Sequence, residues 1–211
     1  LVNFCRIVLG LTFMFSGIVK AIDPMGTQIK FSDYLYAFGM GGVIIDSTLL
    51  ILACILIGFE ILIGSYLVVG AFAKGSSLLA LIIMAVVTPF TLYLAIANPV
   101  EDCGCFGDAV ILTNWQTFIK NVFLLALAVF VFIKRKLIVP FMNVKRQWLI
   151  TVFIVAISVT FMVGNITGLP VLDFRPYNVG TNLRQEIVEN RNMLMHDFSI
   201  MDEPVPFDNV P

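Results

Sequence analysis

Long apolar runs separated by short polar segments dominate the chain. Five such runs lie at about 2–19, 47–69, 76–97, 115–133 and 148–166. Each is close to the length of about 20 residues that a helix needs to cross a bilayer. Because backbone amides find no water in hydrocarbon, and because apolar residues cover every face of these runs, each run is expected to form a helix. The pattern predicts an all-α integral membrane protein with five transmembrane helices.

The composition supports a membrane environment. Of the 211 residues, 59% are hydrophobic and 13% are charged, whereas soluble domains are about 45–50% apolar and about 25% charged. The net charge of −1 provides no basic field for nucleic acid. A single histidine argues against a haem or multi-histidine metal site. The expected partner is therefore the lipid bilayer, with no nucleic acid and no histidine-based metal site.

The distribution of basic residues predicts the orientation. Lysines and arginines concentrate after the second and fourth runs and near the start, at Lys74, Lys134, Arg135, Lys136, Lys145, Arg146 and Arg6. Such segments stay on the cytoplasmic side. The N-terminus is therefore expected to be cytoplasmic, and the loop 98–113 and the C-terminus extracytoplasmic. The first run has no cleavage site after it, so it is interpreted as a signal anchor, and the true start is expected upstream of Leu1.

Three parts are predicted along the chain. Residues 1–134 hold a four-helix membrane domain, and residues 135–168 hold a basic cytoplasmic loop and the fifth transmembrane helix. Residues 169–211 are polar and proline-rich, and they are too short to form a core of their own. This extracytoplasmic tail is expected to cap the outer face or to link to a further domain, with a weakly patterned helix at 183–195.

Two cysteines one residue apart are the strongest chemical signal. Cys103 and Cys105 flank Gly104 in a polar loop between two apolar runs. On the extracytoplasmic side disulfides form and persist, and a bridge across so small a ring is expected to be strained and easily exchanged. The pair is therefore a candidate redox site, with a structural loop staple as an equal alternative and a Cu(I) site as a lesser one. The flanking acids at 101 and 102 disfavour a thiolate.

An acidic residue in the second run is a second candidate. Glu60 lies near the middle of that run, where a carboxyl must be protonated, paired or in a polar cavity. Ala53, Glu60 and Gly64 share one face, which predicts close contact with another helix. Its expected partners are a hydroxyl of the third helix, Lys20 or Lys120. Either it handles protons or a ligand, or it is a protonated carboxyl that bonds two helices.

Lys120 is the third candidate. It flanks a polar face of the fourth run that carries Asn114, Thr117 and Asn121, with Asn114 as the expected N-cap. Lys120 can reach the outer surface near the cysteine loop, where it would stabilise a thiolate or a quinone oxygen. The alternative is an interface anchor paired with the acid at 102 or 108.

Other residues carry less weight. Lys20 is interpreted as an anchor at the end of the first helix, and Pro89 is expected to kink the third, with Thr88 and Thr91 satisfying freed carbonyls. Cys54 is the only other cysteine placed to reach the loop.

Three ordered motifs resemble a known family. The first run contains Ser16-Gly17-x-x-Lys20 followed by Asp23-Pro24, the second Glu60-x-x-x-Gly64, and the loop Cys103-Gly104-Cys105-Phe106-Gly107. Together they resemble the DoxX/MauE-like membrane proteins, a four-helix family. The cysteine motif is similar to the MauE branch, which is linked to methylamine utilisation and disulfide formation in its dehydrogenase. The stretch 173–182 looks like Bacteroidetes members that continue into a periplasmic thioredoxin-like domain.

The resemblance implies a function. The leading hypothesis is a thiol–disulfide redox protein of the bacterial inner membrane, in which Cys103 and Cys105 are catalytic and exchange electrons with a periplasmic thioredoxin-like domain or client. Glu60 and Lys120 would then bind a quinone or carry protons. The alternative is a membrane assembly or scaffold subunit with a structural cysteine pair. A transporter is disfavoured because paired broken helices are lacking in the sequence pattern.

Overall fold

Helices account for most of the residues that the structure describes. The computed structural model describes residues 1–41, 44–100, 103–110, 112–141 and 146–168. Its helices are α1 (Val2–Ile22), α2 (Pro24–Ala37), α3 (Asp46–Val69), α4 (Ala73–Ala97), α5 (Asn114–Ile133) and α6 (Gln147–Thr167). A four-residue strand, β1 (Cys105–Asp108), lies between α4 and α5, and a 3₁₀ turn (Arg135–Leu137) follows α5. The predicted all-α class is confirmed.

Five of these helices are long and apolar enough to cross a membrane, namely α1, α3, α4, α5 and α6. They coincide with the five predicted runs, so the predicted multi-pass membrane protein is confirmed. Their outward faces expose large apolar side chains, among them Phe4, Val86, Ile119 and Phe153. Such a surface suits lipid as the surrounding solvent.

Close packing of α1 on α3 forms the centre of the bundle. Gly64 of α3 lies so near α1 that a Cβ there would sit 2.6 Å from the Met14 amide nitrogen and 2.8 Å from the Gly10 carbonyl oxygen. Small residues allow this approach of two membrane helices. Ala53, Glu60 and Gly64 are buried as their shared face predicts. The helix that Gly64 meets is α1.

The two ends of the bundle differ in chemistry. At one end the Phe141 amide donates to the Val69 carbonyl at 3.0 Å, and the Arg6 guanidinium stands 5.7 Å from the Phe141 ring. At the other end the Asn165 amide donates to the Ala21 carbonyl at 3.0 Å, close to the cysteine loop. The basic segments and the cysteines therefore lie at opposite ends, and the assignment of the basic end to the cytoplasm stays a prediction.

A helix that the apolar pattern does not predict joins α1 to α3. In α2 the Asp23 carboxylate accepts a hydrogen bond from the Gly26 amide at 3.0 Å, and Pro24 occupies the first turn. An Asp N-cap followed by proline is a standard helix start. Residues 20–46 therefore contribute a helix, and this helix covers the cysteine loop.

The chain divides into two units, Leu1–Phe174 and Arg175–Pro211. All described residues belong to the first. The predicted tail 169–211 and its helix at 183–195 lie outside the described residues, and the proposed linker to a further domain stays a prediction.

Candidate functional site

A cavity of about 210 Å³ opens inside the bundle beneath the cysteine loop. Four of the five membrane-spanning helices, α2 and the loop all contribute to its wall. The polar and reactive side chains of the lining are Thr12, Ser16, Lys20, Thr27, Lys30, Tyr34, Glu60, Cys103, Cys105, Lys120 and Asn121. The four residues predicted to carry chemistry, Cys103, Cys105, Glu60 and Lys120, thus line a single cavity.

The two cysteines stand side by side as thiols. Both are free, and their sulfur atoms lie 3.1 Å apart, so one thiol can donate to the other. Gly104 between them has φ +61°, and Gly107 has φ +55°. Both values lie in the left-handed region that glycine adopts without steric cost. The glycines therefore let the chain turn tightly enough to bring both sulfurs to the cavity.

Two hydroxyl groups hold the loop by its backbone. Tyr34 of α2 donates to the Cys103 carbonyl, and Ser16 of α1 donates to the Cys105 carbonyl at 2.6 Å. The Lys30 side chain packs over Gly104, where a Cβ would lie 3.2 Å from its Cγ. The dithiol is therefore fixed from two helices. Tyr34 is a site residue that the sequence did not indicate, and Ser16 was quoted in the family motif without a role.

The buried carboxyl of Glu60 is paired. Its Oε1 accepts from the Lys20 ammonium at 2.7 Å, with the two side chains 11% and 7% exposed. Its Oε2 lies 3.0 Å from the Ser16 hydroxyl. Lys20 was one predicted partner, but its interpretation as a surface anchor is wrong, because it turns inward to satisfy a carboxyl that lipid could not solvate. The hydroxyl partner comes from α1 and not from the third transmembrane helix.

Lys120 reaches the cavity from α5. Its ammonium lies 3.9 Å from the centre of the Phe106 ring, and the edge of that ring meets Phe15 with centroids 5.4 Å apart. A cation over an aromatic face is stabilised even where water is scarce. The predicted pairing with an acid at 102 or 108 falls on side chains outside the described part of the structure.

The surroundings separate the acidities of the two thiols. The Cys103 thiol donates to Cys105, which lowers the pKa of Cys105, and the charges of Lys120 and Lys20 lower it further, to about 6. Donating that hydrogen bond, together with burial, raises the pKa of Cys103. Sequence reasoning found no activated thiolate next to the acids at 101 and 102. The lowered pKa comes first from the neighbouring Cys103 thiol and then from two lysines distant in sequence, Lys120 and Lys20.

A polar network supports the cavity on the side of α4 and α5. Asn121 donates to the Thr91 hydroxyl at 3.2 Å. Thr88, which directly precedes the internal Pro89 of α4, donates to the Met84 carbonyl at 2.6 Å. The predicted polar face of α5 is buried. The prediction of Asn114 as the N-cap of α5 is wrong by one residue.

The N-cap of α5 is Thr113, which forms a capping box with Gln116. Asn114 instead donates to the Asn98 side chain and to the Val100 carbonyl, both at 2.8 Å. It thereby ties α5 to the segment that follows α4.

Cys54 does not join the site. It packs in a separate apolar cluster with Ile57, Ile61 and Met162, and it lines a groove between α3 and α6. The prediction that Cys54 can reach the cysteine loop is therefore wrong.

Comparison with known protein families identifies a relationship. A family model described as methylamine utilisation protein MauE matches residues 1–134, which is more than half of the 211 residues. Neither the curated proteins nor the solved structures contain a significant match. The matched region includes the paired Glu60 and both cysteines of the loop. The chain therefore belongs to the MauE family of membrane proteins.

Proposed function

We propose that this protein is a thiol–disulfide redox protein of the bacterial inner membrane, with Cys105 as the attacking thiolate and Cys103 as the second thiol. One observation carries the proposal: two free thiols 3.1 Å apart face a cavity that also holds Lys120. A lowered pKa of about 6 keeps Cys105 mostly ionised at neutral pH, and the thiolate is the nucleophile in exchange reactions.

The exchange balances with a partner disulfide. The Cys105 thiolate attacks one partner sulfur, so the partner bond breaks and one partner thiolate leaves. Cys103 then gives its proton to that thiolate and attacks the Cys105 sulfur. A bond between Cys103 and Cys105 forms, and the second partner sulfur leaves as a thiolate. Two electrons pass to the partner, and the same bonds in reverse oxidise a partner dithiol.

The partner is proposed to be a periplasmic thioredoxin-like domain or client protein. The chain belongs to the MauE family, whose description names methylamine utilisation. This description is consistent with a role of the protein in the maturation of another protein. The Cys105 thiol has the lowered pKa and the Cys103 thiol the raised one, so Cys105 is the nucleophile of the pair. A mixed disulfide with a protein partner is therefore expected on Cys105.

A quinone is the proposed electron acceptor within the membrane. The cavity has apolar walls from Phe31, Phe90 and Leu124 and a cation at Lys120, a combination that fits a flat ring with polar oxygens. In the direction that oxidises a partner dithiol, a bound quinone would take two electrons from the reduced pair, one proton from the Cys103 thiol and a second proton from solvent, and the bridge between Cys103 and Cys105 would form again. In this proposal Lys120 orients a quinone oxygen, and Glu60 holds or releases a proton.

Trapping of the mixed disulfide tests the redox function. Cys103→Ala removes the second thiol, so Cys105 is expected to retain a covalently bound partner in cells, visible on a non-reducing gel. Cys105→Ala is the matched control and is expected to trap much less. If neither variant captures a partner and the double Cys→Ser variant keeps full cellular function, the pair is a loop staple and the scaffold hypothesis replaces this one.

A further inference from the structure

A buried ion pair lies beside the dithiol and has no part in the exchange itself. The Lys20 ammonium and the Glu60 carboxylate are 2.7 Å apart, and both side chains line the cavity that holds the cysteines. Two charges removed from water are stabilised only when they are paired with good geometry. Helices α1 and α3 are therefore fixed to each other at the level of the cysteine loop.

Ser16 connects this ion pair to the loop. Its hydroxyl lies 2.6 Å from the Cys105 carbonyl oxygen and 3.0 Å from Glu60 Oε2. A hydroxyl carries one proton, so it donates to one of these oxygens at a time. The Glu60 carboxylate therefore competes with the Cys105 carbonyl for the Ser16 proton, so a change at Glu60 alters how Ser16 holds the Cys105 backbone.

The titratable groups that line the cavity around Cys105 come from α1, α2, α3 and α5, while α4 contributes only apolar side chains to the lining. Lys20 is on α1, Glu60 on α3 and Lys120 on α5, while α2 contributes two further groups to the cavity wall, Lys30 and Tyr34. The charges of Lys120 and Lys20 favour the Cys105 thiolate, and that of Glu60 opposes it. Lys20 is therefore the member of the pair whose charge favours the thiolate.

We propose that Lys20 is a positioning residue of the dithiol site, which fixes the Glu60 carboxylate and through it Ser16 and Cys105, and which adds a second cation to the cavity beside Lys120. This inference rests on the proposed redox function, because it matters only if Cys105 reacts as a thiolate. It assigns to Lys20 and Ser16 a role in the chemistry of Cys105 beyond the packing of α1.

The pH profile of Cys105 alkylation in the full-length protein tests the proposal. Lys20→Met is expected to move the midpoint upward, so that alkylation at pH 6 becomes severalfold slower. A rise of one unit corresponds to about tenfold less thiolate below the midpoint. Lys20→Arg is expected to restore the profile, which a loss of packing alone would not predict. Lys74→Met, at the opposite end of the bundle, is the control and should match the wild type.

Glu60→Gln provides the opposite test and keeps Lys20 in place. With the carboxylate charge removed, the midpoint is expected to move downward and alkylation at pH 5.5 to become faster. An unchanged profile in Lys20→Met, or an upward shift in Glu60→Gln, overturns the role of Lys20 while the redox function stands. A wild-type Cys105 that titrates as an ordinary thiol would instead count against the redox function itself.

Discussion

The Lys20 ammonium contacts the Glu60 carboxylate at 2.7 Å in the interior of a membrane helix bundle. Both residues lie on transmembrane helices, α1 and α3, and both are buried. A lone charge at such a place would be costly. The pair therefore explains how a carboxyl near the middle of an apolar run is accommodated, and it places that carboxyl beside the dithiol.

Removal of one member of this pair should destabilise the protein. Glu60→Ala leaves a buried ammonium without a partner, and breaking buried ion pairs costs about 3–5 kcal/mol. The double variant Lys20→Met/Glu60→Leu replaces both charges by apolar groups and is expected to recover most of the loss. Thermal unfolding in detergent compares Lys20→Met, Glu60→Leu and the double variant, and a double variant that loses as much stability as the two single variants together would contradict the pairing.

The two thiols should titrate far apart. Iodoacetamide is expected to modify Cys105 with a midpoint near pH 6, in line with its lowered pKa of about 6, while Cys103 stays unmodified until strongly alkaline pH because its pKa is raised. Cys103→Ala removes the hydrogen bond that is the largest cause of the lowering, so the Cys105 midpoint should rise towards the value of 9.0 for a free thiol. Equal reactivity of both cysteines would refute this asymmetry.

Gly64 should tolerate substitution poorly, unlike Gly58 on the same helix. A Cβ at Gly64 would lie 2.6 Å from backbone of α1, whereas a Cβ at Gly58 meets nothing within 4 Å. Overpacking costs about 1–3 kcal/mol, so Gly64→Ala should lower the unfolding temperature and slow the alkylation of Cys105. Gly58→Ala is the matched control and should be neutral or slightly stabilising; similar losses at both positions would argue against the close packing of α1 on α3.

Gly104 should be needed for the geometry of the dithiol. Its φ of +61° is a conformation that costs other residues about 1–3 kcal/mol, and a Cβ there would press on Lys30. Gly104→Ala is expected to slow bridging of the two cysteines by a mild oxidant, as measured by loss of free thiols. Gly75→Ala, where added atoms meet open space, is the control, and an unchanged bridging rate in Gly104→Ala would show that the turn does not position the sulfurs.

The fold was largely readable from the sequence because lipid imposes a simple rule. Apolar runs of spanning length must become helices, and five did. Helix α2 was missed because it is short and only modestly apolar, although Asp23 and Pro24 mark its start. Hydropathy says little about a helix that covers a loop instead of crossing the bilayer.

The site was only partly readable. Cys103 and Cys105 stand out by spacing, and Glu60 by its depth in an apolar run. The roles of Ser16, Lys20 and Tyr34 depend on how α1, α2 and the loop meet, which no local pattern encodes. The lowered pKa of Cys105 follows from the Cys103 hydrogen bond and from Lys120 and Lys20, so the acids beside it in sequence gave the wrong prediction.

The redox state of the cysteine pair tests the central claim most directly. Protein in membranes is treated with an oxidant or a reductant, alkylated, extracted and analysed by mass spectrometry, with Cys54 as an internal reference thiol. The redox account predicts that Cys103 and Cys105 convert reversibly between an unmodified bridged pair and two alkylated thiols, while Cys54 stays a thiol throughout. Two alkylated cysteines in the oxidant-treated sample, or an unmodified bridged pair in the reductant-treated sample, would contradict the redox account.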